Sequence, residues 1–263
     1  MSDDNVTKSP WIEWHSVTPA RLALGRAGAG MPTDEVLKFG WAHAMARDAI
    51  HAALDVGALD VALKAQGWTT ATIRSRAPDR TTYLRRPDLG RVIAPDDIAK
   101  LRAAPLAPSD ICIVIGDGLS SLAVARHAIP LLAALKPHLA NELKNAPVVI
   151  ATQARVALGD EIAELLQAKL SIMLIGERPG LSSPDSLGIY LTHAPFRNRN
   201  DAGRNCISNV RPDGLSYDAA AFKLAWLVRA ALGRGLTGVD LKDDSDLALI
   251  AGNANAQLAS PQK

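Results

Sequence analysis

Residues 170–186 read LSIMLIGERPGLSSPDS and place a strand directly before a specialised loop. The run 170–175 is almost continuously apolar, which is typical of a strand buried on both faces of a sheet. Gly176 and Gly180 then bracket a charged pair and a proline. Open α/β sheets bind ligands at the carboxyl ends of their strands, and glycine there can adopt positive φ or let a ligand approach the backbone. The loop is therefore a candidate ligand site; the alternative is an ordinary turn with a surface Glu–Arg pair.

Further apolar runs around this unit predict the rest of the sheet. Residues 111–115 (ICIVI) precede the loop GDGLS, residues 148–150 (VVI) precede an amphipathic helix, and residues 188–192 form a fourth strand. Strands that alternate with helices imply right-handed crossovers and an α/β fold with a doubly wound, mostly parallel sheet. Residues 183–185 (SPD) predict a helix start after the GERPG loop.

The helical predictions outside this core are more specific. Thr33 is expected to cap a helix whose apolar face is formed by Leu37, Trp41, Met45 and Ala49. The helix after residue 120 is expected to break near Pro130. Residues 79–91 are rich in arginine and have no helical period, which predicts a loop.

Composition excludes several classes of protein. The formal net charge is +2 with both signs interspersed, so nothing indicates nucleic-acid binding. Neither an apolar run of about 20 residues nor a signal peptide is present. The two cysteines, Cys112 and Cys206, are too few for a disulfide scaffold and suit a reducing cytosol.

No complete catalytic or metal-binding motif occurs. The glycine fingerprint GDGLS is incomplete because Ser121 stands where the third glycine belongs, and the six histidines form no zinc pattern. Residues 204–209 (RNCISN) are interpreted as a hydrogen-bonded loop with a buried cysteine, between a strand and a helix. We therefore predict no catalytic residue and no metal site on this chain.

Six motifs nevertheless occur together in the order found in one family. The chain resembles the small subunit of ethanolamine ammonia-lyase over roughly residues 18–233. The matching stretches are ARLALGRAG (20–28), YLRRPDLGR (83–91), GDGLS (116–120), ARVALGDEIAE (154–164), IGERPGL (175–181) and RNCISN (204–209).

The resemblance implies a Rossmann-like fold and a function within a larger enzyme. In this family adenosylcobalamin lies between the small subunit and a larger barrel-shaped subunit, which hosts the radical conversion of ethanolamine to acetaldehyde and ammonia. The family's cobalamin-binding positions fall on Val156, Glu177 and Cys206 of this sequence. No D-x-H-x-x-G motif is present, which fits base-on cobalamin binding. The implied assembly has six large and six small chains.

The resemblance also organises the chain into three regions. Residues 1–105 are expected to form a helical and loop extension that docks the partner, residues 106–240 a cobalamin-covering domain, and residues 241–263 a polar tail. The expected location is the cytoplasm. Packaging into a bacterial microcompartment, linked in some relatives to a longer leader, is less expected because only about eighteen residues precede the match. The alternatives are a stand-alone nucleotide-binding enzyme and a non-catalytic scaffold or regulatory subunit.

Overall fold

A six-stranded sheet with helices on both faces carries the fold in the computed structural model, which describes residues 5–18, 20–104 and 106–247. The elements follow in the order α1 (Thr33–His51), α2 (Val56–Ala65), β1 (Thr70–Arg74), α3 (Arg80–Arg85), α4 (Pro95–Ala103), β2 (Ile111–Gly116), α5 (Ser121–His138), β3 (Val148–Thr152), α6 (Leu158–Leu165), β4 (Leu170–Gly176), β5 (Leu187–His193), β6 (Asn205–Val210) and α7 (Tyr217–Arg234). The chain is therefore an α/β protein, as predicted.

The sheet is mixed. Its strand order is β1-β3-β2-β4-β5-β6, and the β1–β3, β3–β2 and β2–β4 pairs are parallel. The β4–β5 and β5–β6 pairs are antiparallel, which corrects the expectation of a mostly parallel sheet. The connection from β2 leads to β3 on one side, whereas the loop after β4 leads to β5 on the other. This divergence opens a crevice at the carboxyl ends of β2 and β4, where α/β sheets bind ligands.

Strand residues alternate between two apolar layers. Ile111, Ile113 and Ile115 of β2 pack beneath α5 and α7, while Cys112 and Val114 face the layer that contains α6. All five are fully buried. Continuous apolar runs therefore occur because both faces of these strands are covered.

Two helical predictions are wrong. Helix α5 continues through Pro130, because burial of Leu131, Leu132 and Leu135, each worth about 1.5–3 kcal/mol, outweighs a proline penalty of about 3 kcal/mol. Residues 79–91 are not only a loop but contain α3, whose first turn is capped by the Asp79 carboxylate accepting from Thr82 N at 2.8 Å.

Helix α1 begins at Thr33 but buries only part of the predicted face. Ala49 is buried and Met45 is half-buried, as predicted, whereas Leu37 and Trp41 are 68% and 70% exposed. Ala42 and Ala46 are buried in their place. Thr33 makes no capping hydrogen bond with its side chain; Pro32 occupies the cap position. The larger apolar side chains of α1 therefore do not contribute to the core of this chain.

The two ends of the chain differ in how they join the sheet. Residues 1–105, predicted to be an extension, contribute the edge strand β1. Within the predicted polar tail, Leu241 and Ser245 are buried, and residues 248–263 lie outside the described residues.

Candidate functional site

The loop after β2 packs directly on the end of β4. Gly118 has φ +59°, and a Cβ atom built on it would lie 2.2 Å from the Gly176 carbonyl oxygen. A Cβ on Gly176 would lie 2.0 Å from the Ser120 carbonyl oxygen, and Leu119 N donates to Gly176 O at 2.9 Å. The glycines at this edge therefore permit contact between two protein loops, and not the ligand approach expected from the sequence. Neither Gly176 nor Gly180 has positive φ.

Asp117 links the ends of β2 and β3. Its carboxylate is buried and accepts hydrogen bonds from Gln153 N and Ala154 N, both at 2.9 Å, and Arg80 Nη1 lies 3.8 Å away. Burial raises the pKa of Asp117, although the two N–H donors and the Arg80 charge oppose this shift. The Asp117 side chain therefore joins the loops that follow β2 and β3.

Glu177 closes the base of the β4–β5 loop. Its backbone N donates to Ser186 O at 2.9 Å, and its Oε2 accepts from Ser186 Oγ and, at 3.3 Å, from Asn209 N. Its Oε1 accepts no hydrogen bond from any residue that the structure describes. One carboxylate oxygen is therefore structural, whereas the other, which would lie 2.9 Å from a Cβ built on Gly188, accepts no hydrogen bond from the described residues.

The predicted helix start at residues 183–185 is wrong. This segment is a turn that leads into β5, with Ser120 Oγ donating to Pro184 O at 2.8 Å. Arg126 Nη1 on α5 pairs with Asp185 Oδ2 at 2.8 Å. The proline and acid that suggested a helix instead fasten the loop to the N-terminal part of α5.

A cleft of about 430 Å³ lies between these loops and contains two of the three predicted site residues. Val156, in the loop after β3, and Glu177, after β4, both line it. Gly118 and Leu119 contribute from the loop between them, and Tyr190 lines it from β5. The structure therefore brings Val156 and Glu177 together around one opening.

Cys206 lies beside this cleft but not at its edge. It is an exposed residue of β6 that pairs with Tyr190, which in turn pairs with Met173, so it sits level with the interior of β4. Its Sγ is 3.3 Å from Ser208 Oγ. The interpretation of residues 204–209 as a loop with a buried cysteine is corrected, because they form an outer strand. Burial raises the pKa of the neighbouring Tyr190 hydroxyl.

Sequence reasoning missed three residues in or next to the cleft, of which Tyr83 and Arg155 line it. Tyr83 of α3 is fully buried, its hydroxyl donates to Ala154 O at 3.0 Å, and burial raises its pKa to about 12. The guanidinium groups of Arg80 and Arg155 lie 4.8 Å and 4.3 Å from the centre of its ring. No periodic pattern marks these residues; the nearest indication is the Asp79 cap that starts α3.

Four other depressions, of about 440–680 Å³, are lined by none of the three predicted site residues. The largest of these four, of about 680 Å³, lies at the opposite, amino-terminal edge of the sheet, next to Pro147 and Gln167. None of the buried polar atoms that lack a partner belongs to its described lining. Within the described ranges no cluster of His, Cys, Asp or Glu could hold a metal ion, and no helix is long and apolar enough to span a membrane.

These features define a class: an α/β protein with an open cleft at the carboxyl ends of parallel strands. The family model described as "Ethanolamine ammonia-lyase light chain (EutC)" matches residues 8–242. The chain therefore belongs to the ethanolamine ammonia-lyase light-chain family, and its relatives are named as subunits of this lyase.

Individual relatives match over nearly their whole length. A protein of Azotobacter vinelandii (strain DJ / ATCC BAA-1303) named "Ethanolamine ammonia-lyase small subunit" is 52% identical over 257 residues, covering 96% of this chain and 95% of its own. Proteins with the same name from Bradyrhizobium diazoefficiens and Pseudomonas fluorescens (strain Pf0-1) are 53% and 49% identical, covering 93% and 96% of this chain and 95% and 94% of their own. The function indicated is that of an ethanolamine ammonia-lyase small subunit, which confirms the resemblance.

Proposed function

We propose that the cleft covers one side of adenosylcobalamin and that Val156, Glu177 and Cys206 contact it. The observation that carries this proposal is the meeting of Val156 and Glu177 in one open cleft at the carboxyl ends of β3 and β4. The parallel half of the sheet, β1 to β4, would then work as a Rossmann-like unit, with its ligand at the edge that such folds use.

The residues present fit the chemistry of a corrin. Its rim carries neutral amides, and Glu177 Oε1 is an acceptor that no described residue uses. Val156 supplies an apolar wall. Cys206, exposed on β6 beside Tyr190, offers a small thiol on the adjoining surface. Base-on binding requires no histidine ligand from this chain.

In the proposed complex this chain positions the cofactor and contributes no reacting group. Adenosylcobalamin supplies the radical chemistry that converts ethanolamine to acetaldehyde and ammonia when it is bound. Glu177 would orient the cofactor by accepting hydrogen bonds from it, and Val156 would pack against it. The β4–β5 loop, whose base is joined by the Glu177–Ser186 hydrogen bond, would exclude water from one side of the cofactor. Because this cleft is open, the opposite side needs a second chain.

We infer that the second chain is the large subunit implied by the relatives' printed name. Two exposed apolar groups in residues 1–105 support this inference. Trp11 and Trp14 form an edge-to-face pair with 6.4 Å between ring centres, and Leu37 and Trp41 form what we call the outer face of α1. Tryptophan at such positions is favoured in interface anchors. An assembly of six large and six small chains, in the cytoplasm, remains part of the proposal.

Substitution of Glu177 by alanine tests the cofactor contact. Hydrogen bonds to charged groups are worth about 1.5–3 kcal/mol, so Glu177→Ala should weaken adenosylcobalamin binding by roughly 10–100-fold. The measurement is equilibrium dialysis of the cofactor with the reconstituted complex of both subunits. Ammonia release from ethanolamine should require both chains and the cofactor, and unchanged affinity of the variant would contradict the placement of Glu177.

Ser186→Ala is the matched control. It removes the hydrogen bond to Glu177 Oε2 but leaves Oε1 in place. We expect a lower melting temperature of this chain with nearly unchanged cofactor affinity. An affinity loss equal to that of Glu177→Ala would show that Glu177 acts only through the shape of the loop.

A further inference from the structure

Arg155 is held firmly at the rim of the cleft. It follows β3, its backbone N donates to Gly90 O at 2.8 Å, and its Cγ lies so close to Gly90 that an added Cβ there would be 2.9 Å away. Its guanidinium stacks on the Tyr83 ring, and its Nη2 donates to Tyr83 O at 3.3 Å. This residue therefore carries a positive charge in a fixed place beside Val156 and Glu177.

The charge of Arg155 has no ion-pair partner among the residues that the structure describes. Among the described residues, no carboxylate lies within 4.0 Å of its guanidinium, whereas neighbouring Arg80 has Asp117 at 3.8 Å. Arg155 Nε is buried without a hydrogen-bond partner, and Nη1 makes no hydrogen bond to the described chain but is not enclosed. A buried donor without a partner destabilises the protein, so the site is incomplete as it stands.

We propose that Arg155 forms an anion subsite of this cleft and binds the phosphodiester of the cobalamin nucleotide loop. The open Nη1 of Arg155 can donate to a phosphate oxygen, and a charge-assisted hydrogen bond of this kind is roughly twice as strong as one between neutral groups. This inference rests on the proposed function.

The spacing of the two polar groups supports this assignment. Arg155 follows β3 and Glu177 follows β4, and these strands flank β2, so the two strand ends are about 10 Å apart. A ligand that contacts both side chains would present N–H donors at one point and an anionic oxygen at another. Cobalamin has neutral amides around its ring and a single phosphodiester in its nucleotide loop, and it meets both demands.

The test compares adenosylcobalamin with adenosylcobinamide, which lacks the nucleotide loop and its phosphodiester. Both ligands are titrated by equilibrium dialysis into the two-subunit complex carrying wild-type chain, Arg155→Gln or Arg155→Lys. We expect Arg155→Gln to weaken adenosylcobalamin binding by about 10–100-fold and to leave adenosylcobinamide binding unchanged. Arg155→Lys, which keeps a positive charge but loses the guanidinium stacked on Tyr83, should show a smaller loss for adenosylcobalamin only, and it serves if the glutamine variant does not fold.

Each other outcome overturns the proposal in a distinct way. Equal losses for both ligands would show that Arg155 acts by holding Tyr83 and not by binding phosphate. If Arg155→Gln binds adenosylcobalamin as tightly as the wild type does, Arg155 does not form an anion subsite for the cofactor. Inorganic phosphate that binds the wild-type complex but not Arg155→Gln, with adenosylcobalamin affinity unchanged in the variant, would assign the site to free phosphate. Failure of the wild-type complex to bind either corrinoid would reject the proposed function together with the subsite.

Discussion

Asp185 fastens the β4–β5 loop to two helices through a short chain of side chains. Its Oδ2 lies 2.8 Å from Arg126 Nη1 and 3.4 Å from His127 Nε2, and His127 Nδ1 lies 2.8 Å from the Tyr217 hydroxyl. Burial lowers the pKa of His127, although the charge of Asp185 opposes the shift. The loop that bears Glu177 is thus linked to α5 and α7 through Asp185, Arg126 and His127.

His127 should make the chain less stable in mild acid. The unfolded chain binds a proton near pH 6.5, whereas the folded chain resists protonation until a lower pH. The free energy of unfolding should therefore fall by up to about 1.4 kcal/mol per pH unit below pH 6.5 and be unaffected by His127 above it. Urea unfolding of wild type and His127→Gln between pH 5 and pH 7.5 measures this slope.

The pH experiment needs a control, because burial also lowers the pKa of His193. His193→Gln should remove a separate part of the slope. Identical slopes for wild type and His127→Gln would refute the assignment.

At the scale of elements, the junction of the β2 loop with the end of β4 is the least tolerant point of the site. Gly176→Ala would press a methyl group to within 2.0 Å of the Ser120 carbonyl oxygen, so backbone must move. We expect a loss of about 1–3 kcal/mol in the free energy of unfolding, measured by chemical denaturation. The control is Gly233→Ala near the end of α7, where nothing lies within 4 Å and a gain of up to about 1 kcal/mol is expected. Equal stability of the two variants would contradict this account.

The elements that could be predicted from the sequence are those set by local pattern. The buried strands β2, β3 and β4 follow from apolar runs, because both faces are covered. The direction of β5 could not be predicted, since alternation along a strand is the same whichever way the chain runs. Helix α3 was missed because a six-residue helix depends on its Asp79 cap and shows no period.

The candidate site could be predicted from the sequence only in part. Motif resemblance located Val156 and Glu177, which the structure brings into one cleft. It could not give the outward orientation of Cys206, because one residue of shift in a strand reverses the face. It also gave no indication of Arg155 stacked on Tyr83, since this contact joins residues 72 positions apart.

At the scale of the whole molecule, the outer face of α1 should bind the large subunit. Leu37 and Trp41 are one helical turn apart and lie on the same side. Because buried aromatic anchors contribute 2 kcal/mol or more, Trp41→Asp should weaken association of the two subunits by roughly 30-fold or more. Sedimentation or titration calorimetry of the two purified chains gives this affinity.

Val61→Asp on α2 is the matched control for the interface. Val61 is 68% exposed, like Leu37, but belongs to a different helix. Both substitutions should leave the melting temperature of the free chain unchanged. Association that is weakened equally by both, or by neither, would place the interface elsewhere.

The exposed side chains of α1 and the Trp11–Trp14 pair also bear on how a cell must produce this protein. An apolar surface without its partner favours self-association, so a chain made in excess is prone to aggregate. Translation of the two subunits in matched amounts would keep this surface covered soon after folding. The same surface would mark surplus copies for chaperones and proteases, so the abundance of the small chain would follow that of its partner.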